Sequence, residues 1–227
     1  MNTKMKQEYS KSESNTVKRG AKKASYNKEE IHTVLDASEI CFVAFNVNGK
    51  AFVQPINFGR KEETLYIHGS LQNRMTNMLI ESGEVCLSVM HLDSMKLTRS
   101  AFHHSVNYRS VVVFGKVREL LTNEEKLEGL KTIINHFVPN RWDYCREPNE
   151  NEMKATRVIA IDIESASAKI ADTPPNDNKE DYELDFWSGL IPIKMVCEFP
   201  VPDETLKDGI EIPQHVLDFY EKRKNGF

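Results

Sequence analysis

Three stretches of this 227-residue sequence hold side chains that could do chemistry. The first runs from Leu65 to Arg74. A β-prone run ends in His68-Gly69-Ser70, and a helical spacing begins beneath Arg74. Backbone N–H groups at a helix N-terminus, the Ser70 hydroxyl and the Arg74 guanidinium would together make a phosphate site, since each offers a donor to an anion. The plainer reading makes Ser70 an N-cap and Arg74 a solvated helix residue. The second stretch is His103-His104. Adjacent strand positions project to opposite sides, so the two rarely share one metal ion. No acidic residue or cysteine stands nearby in sequence to complete a site, and no metal is expected. The pair reads as polar loop histidines, or as a proton donor or ligand contact. The third stretch is Tyr108-Arg109-Ser110, which opens a β-branched strand. Its Arg and Ser could face the same phosphate or end in solvent. Familiar nucleotide, protease and hydrolase templates (GxGxxG, the P-loop, HExxH, GxSxG) are absent.

The elements that must position these residues read as a barrel. Asn27 can cap a helix, with Glu30 in the capping-box position and Ile31, Val34 and Leu35 on one apolar face. Cys41 to Val47 is a strand. Asn48-Gly49 is a strong hairpin signal, because both residues tolerate positive φ. The return strand, Ala51 to Phe58, contains Pro55, which cannot donate to a ladder and marks an edge or a bulge. Thr64–His68 is a third strand. Leu71, Met75, Met78 and Leu79 then give a helix closed by Gly83. Glu84–His91 and Met95–Ala101 read as two strands around Asp93-Ser94, followed by a polar loop over Phe102–Tyr108. Arg109–Leu121 is a long strand interrupted by Gly115. Thr122 and Glu125 form a capping box for a helix reaching Pro139. Arg157–Ile163 and Ala166–Ile170 are further strands, Phe186–Cys197 a kinked one, and Pro213–Lys224 a terminal helix. Six to eight strands joined mostly by short turns follow barrel grammar, not alternating βαβ grammar.

Composition bounds the class. Hydrophobic residues at 40% and charged residues at 28% suit an ordinary globular domain of this length. The formal net charge of −4 argues against nucleic acid as a partner. No apolar window is long enough to cross a bilayer. The four cysteines contain no CxxC pair, and three lie in apolar runs, as reduced core thiols of a cytoplasmic protein would. The first 25 residues hold seven Lys/Arg against Glu8 and Glu13, which leaves about −9 for the rest once this +5 is taken from −4. They are expected to be a disordered basic tail (1–25) ahead of one domain (26–227). The sharper alternatives are a weak anion-binding arm or a basic transit peptide, in which Glu8 and Glu13 would be out of place.

The stretch Thr98 to Gly115 resembles a segment of flavin-binding split-barrel proteins akin to pyridoxamine 5′-phosphate oxidase, closest to the nitroimidazole-resistance branch. Leu65–Arg74, Arg141-Trp142-Asp143 and Glu164–Lys169 match in the same order. The resemblance implies an FMN-binding split barrel: mainly β, an antiparallel Greek-key-like barrel with peripheral helices. It implies a homodimer with FMN in clefts at the interface, FAD being possible. Val53, Gln54, Pro55 and Ile56 would run along the isoalloxazine edge. His68, Gly69, Ser70, Asn73 and Arg74 would surround the phosphate and the near ring face, and Ser110 aligns with a flavin-contacting residue. Trp187 would come from the second subunit, with Trp142 a further candidate from across the dimer.

The departures narrow the reaction. The oxidase carries an Arg-x-His-Asp-Arg signature after its Trp-x-Gly. Here the stretch after Trp187 offers only Lys194, so a vitamin B6 phosphate would lack its anion clamp. Asn73-Arg74-Met75 also has one cation fewer than the oxidase. The expected function is an FMN-dependent oxidoreductase passing electrons from a nicotinamide donor to a small nitroaromatic or quinone-like acceptor, with His68 and His104 as proton donors. The alternatives are flavin or haem storage, with His68, His103 or His104 as the axial ligand, and an interaction protein with a vestigial site.

Overall fold

The computed structural model describes residues 7–226. Nine antiparallel strands form one strongly curled sheet, in the order β3-β2-β6-β7-β8-β5-β4, with β1 added to β8 and β9 to β6. The strands are β1 (Ala24–Ser25), β2 (Ile40–Val47), β3 (Lys50–Asn57), β4 (Gly59–Lys61), β5 (Thr64–Ser70), β6 (Glu84–Leu97), β7 (Ser105–Leu120), β8 (Thr156–Ala171) and β9 (Gly189–Pro192). Five helices sit around them: α1 (Lys28–Asp36), α2 (Arg74–Ser82), α3 (Asn123–Phe137), α4 (Glu150–Ala155) and α5 (Gln214–Arg223). The curl encloses a core of Cys41, Val43, Leu65, Ile67, Val111, Val113, Ile159 and Ile161, closed by Ile31, Leu35, Met75 and Leu79 from α1 and α2. The sheet does not close by hydrogen bonds into a full barrel. β3 stays at its edge, which is where Pro55 requires it to be.

Local chemistry sets the corners. Asn48 and Gly49 both take positive φ (51° and 80°) and turn β2 into β3. Thr122 and Glu125 complete a reciprocal capping box at the head of α3. Gly83 closes α2 in the left-handed region at φ 69°. Gly115 lets β8 pass close by: a Cβ there would stand 2.6 Å from the Asp162 carbonyl oxygen.

Several expectations change. The two strands read at 84–101 are one 14-residue strand, β6, because the interruption at Asp93-Ser94 is a bulge inside a continuous ladder with β7. Likewise β8 runs unbroken through 16 residues, with Glu164 as its bulge residue opposite the Phe114/Gly115 step. The proposed strand over Phe186–Cys197 shrinks to the four residues of β9.

The basic tail is also revised. Residues 1–6 lie outside the described residues, but 7–25 are packed against the sheet. Tyr9 is only 5% exposed, and its hydroxyl donates to Glu63 at 2.6 Å. Asn15 is 2% exposed and donates to the backbone oxygens of Ser10 (3.0 Å) and Ala166 (3.2 Å). Its polar residues satisfy the backbone locally and across to β8, so a stretch poor in aliphatics still has a fixed path. Among the described residues no helix is long and apolar enough to cross a membrane.

Candidate functional site

The turn from β5 into α2 builds the cationic end of the site. Ser70 accepts from the Asn73 N–H at 3.0 Å, closing the turn. Asn73, not Ser70, is the N-cap: its Oδ1 accepts from the Thr76 N–H at 3.2 Å. That satisfies one orphan donor of the first helical turn, while Met75 and Thr76 are fully buried, so Arg74 is the exposed residue of that turn. Arg74 is the first residue of α2. Its guanidinium lies 4.5 Å above the Phe52 ring, and no carboxylate among the described residues pairs with it. Gly69 keeps the turn tight, since a Cβ there would come within 3.2 Å of the Asn73 side chain.

Strand β3 supplies the wall beside it. In register with β2, Phe52, Gln54 and Ile56 pair with Phe45, Val43 and Cys41 and share the core-facing side, while Val53 and Pro55 pair with Ala44 and Phe42 on the outer side. Val53 is 66% exposed there. Phe52 stacks on Phe45 with centroids 5.4 Å apart. Ser110 reaches the same outer side through its neighbours Met90 and Lys169, and its hydroxyl donates to the Lys169 oxygen at 3.4 Å. Arg109 is not available to a phosphate. Asp93, the bulge residue of β6, holds it through both carboxylate oxygens at 2.8–3.2 Å.

His68 sits on β5 opposite Val158. Its Nδ1 is buried without a hydrogen-bond partner. Burial pushes its pKa below the usual 6.5, so it is neutral at neutral pH. A buried neutral imidazole with a spare nitrogen fits a ligand or a metal centre.

His104 and Trp187 belong to the opposite end of the sheet. His104 immediately precedes Ser105, the first residue of β7, whereas His68 lies level with Leu120, its last residue, across Val158. The two histidines therefore stand at opposite ends of this 16-residue strand. His104 Nδ1 lies 3.1 Å from the Ser100 oxygen, which leaves Nε2 outward. Asp177 fixes this hairpin tip by accepting from the Arg99 and Ser100 N–H groups, each at 3.1 Å. Burial alone would raise its pKa, but these donors and the Arg99 guanidinium outweigh it and hold the carboxyl below its usual range. Trp187 is 66% exposed and lies over Gly189, where any Cβ would meet its ring at 2.6 Å. Trp142 is elsewhere, over α3 beside Lys61 and Glu128. The structure brings together Gly69, Ser70, Asn73 and Arg74 at the β5–α2 turn, with the β3 segment of Val53, Gln54, Pro55 and Ile56 beside it through the Phe52–Arg74 contact, whereas His68 alternates with the core residues Leu65 and Ile67 and faces the other side of β5. The structure sets His104, Trp142 and Trp187 apart from them. Phe52 and Asp177 did not stand out in the sequence, since their roles depend on cross-strand register and a distant loop. Among the described residues no group of three or more His, Cys, Asp and Glu is arranged around a metal position.

The curled sheet with its open edge at β3 and its anion-ready helix start defines a split-barrel protein. The chain belongs to the pyridoxamine 5′-phosphate oxidase family, whose model matches residues 27–170. Solved structures extend the likeness. The flavocytochrome Anf3 from Azotobacter vinelandii is 32% identical, with a TM-score of 0.86 over 91% of this chain and 96% of that one. The FAD and heme binding protein from Mycobacterium smegmatis is 29% identical, with a TM-score of 0.81 over 86% and 96%. A candidate 5-nitroimidazole antibiotic resistance protein from Bacteroides thetaiotaomicron is 23% identical, with a TM-score of 0.56 over 65% and 86%, and shares the fold. No curated protein sequence matches the chain significantly.

Proposed function

We propose that this chain is a flavin-dependent oxidoreductase that works as a homodimer. The observation that carries the reading is Arg74. It stands exposed at the first position of a nine-residue helix and rests on Phe52 instead of a carboxylate. Such a cation beside a helix N-terminus suits the phosphate of a flavin. The edge strand β3, from Val53 through Gln54 and Pro55 to Ile56, would then run along the ring edge. Two of the most similar solved structures carry a flavocytochrome and an FAD and heme binding protein, which supports the same class of cofactor. When bound, flavin supplies reversible two-electron transfer from a nicotinamide donor to a small nitroaromatic or quinone-like acceptor. The chain's part is to bind, orient and shield. His104, with its outward Nε2, would offer a proton exchange point from the second copy's hairpin tip, since its own is out of reach of the Arg74 end. Trp187 on the same tip would shield the site.

Vitamin B6 phosphate is a poor fit as substrate. Lys194, the one cation of the stretch Leu190 to Val196, donates to the Asn225 oxygen at 3.2 Å. The four free cysteines suit a reducing, cytoplasmic setting. Burial pushes the Cys41 thiol up to about 12, so it is not the nucleophile of any step. The test is anaerobic addition of NADH or NADPH to purified protein: a yellow protein that bleaches and recovers with an acceptor supports the reading. Bound flavin that no nicotinamide or dithionite-free donor reduces, with no turnover across an acceptor panel, would refute the enzymatic part.

One observation favours a second group alongside flavin. The unpartnered, buried Nδ1 of His68 marks an imidazole kept neutral by its surroundings, the state that ligates haem iron. A Soret band on haem titration that is lost in His68→Ala tests it, and an unchanged band in that variant would dismiss His68.

A further inference from the structure

The C-terminal helix closes a cavity of its own. The family match ends at residue 170, so α5 lies outside the part shared with that model. Positions 215, 218, 219 and 222 of α5 recur at helical spacing and share one face. That face, made of His215, Asp218, Phe219 and Lys222, lines a cavity of about 220 Å³ against His136 and Asn140 at the end of α3. The volume exceeds the ~150 Å³ of a cavity that holds benzene, which leaves room for one small molecule. Arg223 fastens the helix by an ion pair to Glu39.

Some polar groups of the cavity are already committed. The His136 Nε2 donates to the Ser38 oxygen at 2.7 Å, and Arg60 holds the Asp36 carboxylate at the edge. His215 is different. It is 9% exposed and stacks on the Tyr144 ring with centroids 4.2 Å apart. Neither of its ring nitrogens has a hydrogen-bond partner. An imidazole always carries at least one N–H, and a buried donor is costly to leave unpaired. Asp218 and Lys222 stand exposed one helical turn apart. Asp218 accepts from the Gln214 side chain at 2.7 Å, but among the described residues neither it nor Lys222 forms an ion pair. The cavity therefore keeps one uncommitted carboxylate, one uncommitted ammonium and a buried imidazole, with Phe219 and Pro139 as apolar walls. A simple anion would meet Asp218, and a simple cation would meet Lys222, each a like charge. Two histidines and two aspartates line the space, yet among the described residues no three such groups surround a metal position.

We propose that this cavity binds a free α-amino acid with a small apolar side chain. The Lys222 ammonium and the His215 N–H hold the ligand carboxylate, Asp218 holds the ligand ammonium, and the side chain packs on Phe219 and Pro139. The bound ligand joins α5 to the end of α3 and so stabilises the folded chain. The inference is independent of the flavin reading.

Calorimetric titration of the full-length protein with L-leucine tests it, beside two analogues that each lack one charge, isocaproate and isoamylamine. Leucine is expected to bind saturably, at least about tenfold more tightly than either analogue, and to raise the melting temperature. Lys222→Gln and Asp218→Asn change exposed side chains. Each should melt like the wild type without ligand and weaken leucine by about tenfold or more. His215→Gln, which keeps a donor in place, should retain part of the affinity that His215→Ala loses. Isocaproate binding as tightly as leucine would overturn the proposal in favour of a plain anion site, and isoamylamine doing so in favour of a cation site. No binding of leucine, or leucine binding unchanged in both exposed variants, would overturn it outright.

Discussion

The Arg74 guanidinium lies over the Phe52 ring, 4.5 Å from its centroid, joining the head of α2 to the edge strand β3. A cation–π contact at a partly exposed site contributes about 0.5–1 kcal/mol, so Arg74 adds little to folding. Its larger effect is to fix a positive charge at the exposed start of α2. Arg74→Ala is therefore expected to leave the melting temperature within a few degrees of wild type and to reduce flavin affinity at least tenfold. Arg74→Lys should recover part of that loss, because it restores the charge and not the bidentate geometry. Isothermal titration with flavin checks both. Full affinity in the Ala variant would remove Arg74 from the site.

His68 predicts a pH dependence of stability. Its folded pKa lies below 6.5 because of burial. As pH falls through about 6.5, the unfolded chain takes up a proton that the folded chain refuses. Stability must then decrease on acidification and level off above that point. His32 and His91, also lowered chiefly by burial, share this sign. His68→Gln should reduce the slope without abolishing it. Urea unfolding between about pH 5 and 8 measures this, and an unchanged slope would mean that His68 is solvated in the folded protein.

Gly59 marks the tightest seat between the sheet and α3. A Cβ there would stand 2.7 Å from the Ile133 Cα and from the Thr132 oxygen, both backbone atoms that cannot swing aside. Gly59→Ala is expected to cost about 1–3 kcal/mol by overpacking, roughly 3–10 °C in melting temperature for a chain of this size. Differential scanning calorimetry would show it. A wild-type melting temperature would mean that α3 is free to move off β4.

Much of this architecture was legible in the residues, and the illegible parts share a cause. Asn48-Gly49, the Thr122–Glu125 capping box and Gly83 each require a particular backbone state, and each appeared where local chemistry demanded it. The long strands β6 and β8 read as broken, because Asp93 and Glu164 are polar residues inside apolar runs. Only the ladder shows that both are bulges. Arg74 was readable as a phosphate ligand, but its partner Phe52 comes from cross-strand register. The arm looked like a tail because its contacts, from Asn15 to Ala166 and from Tyr9 to Glu63, depend on residues 54 to 151 positions away.

The outer side of the sheet predicts the dimer. Phe42 and Met90 are exposed on the same face as Val53: Phe42 pairs with Pro55 on β3 and Ser88 on β6, and Met90 lies two residues further along β6. An apolar face of this kind marks an association surface. Phe42→Lys/Met90→Lys is expected to convert a dimer to a monomer in size exclusion with light scattering, and to release flavin as the partner's Trp187 is lost. Tight flavin binding by the monomer would place the whole site within one chain.

The central claim is that the β5–α2 turn, headed by Arg74, anchors a flavin. The most direct measurement is the absorption spectrum and mass of the small molecule released from the purified protein. The expected result is the absorption spectrum of an oxidised flavin and the mass of a flavin nucleotide. A colourless protein that releases no flavin and takes none up on incubation would contradict it.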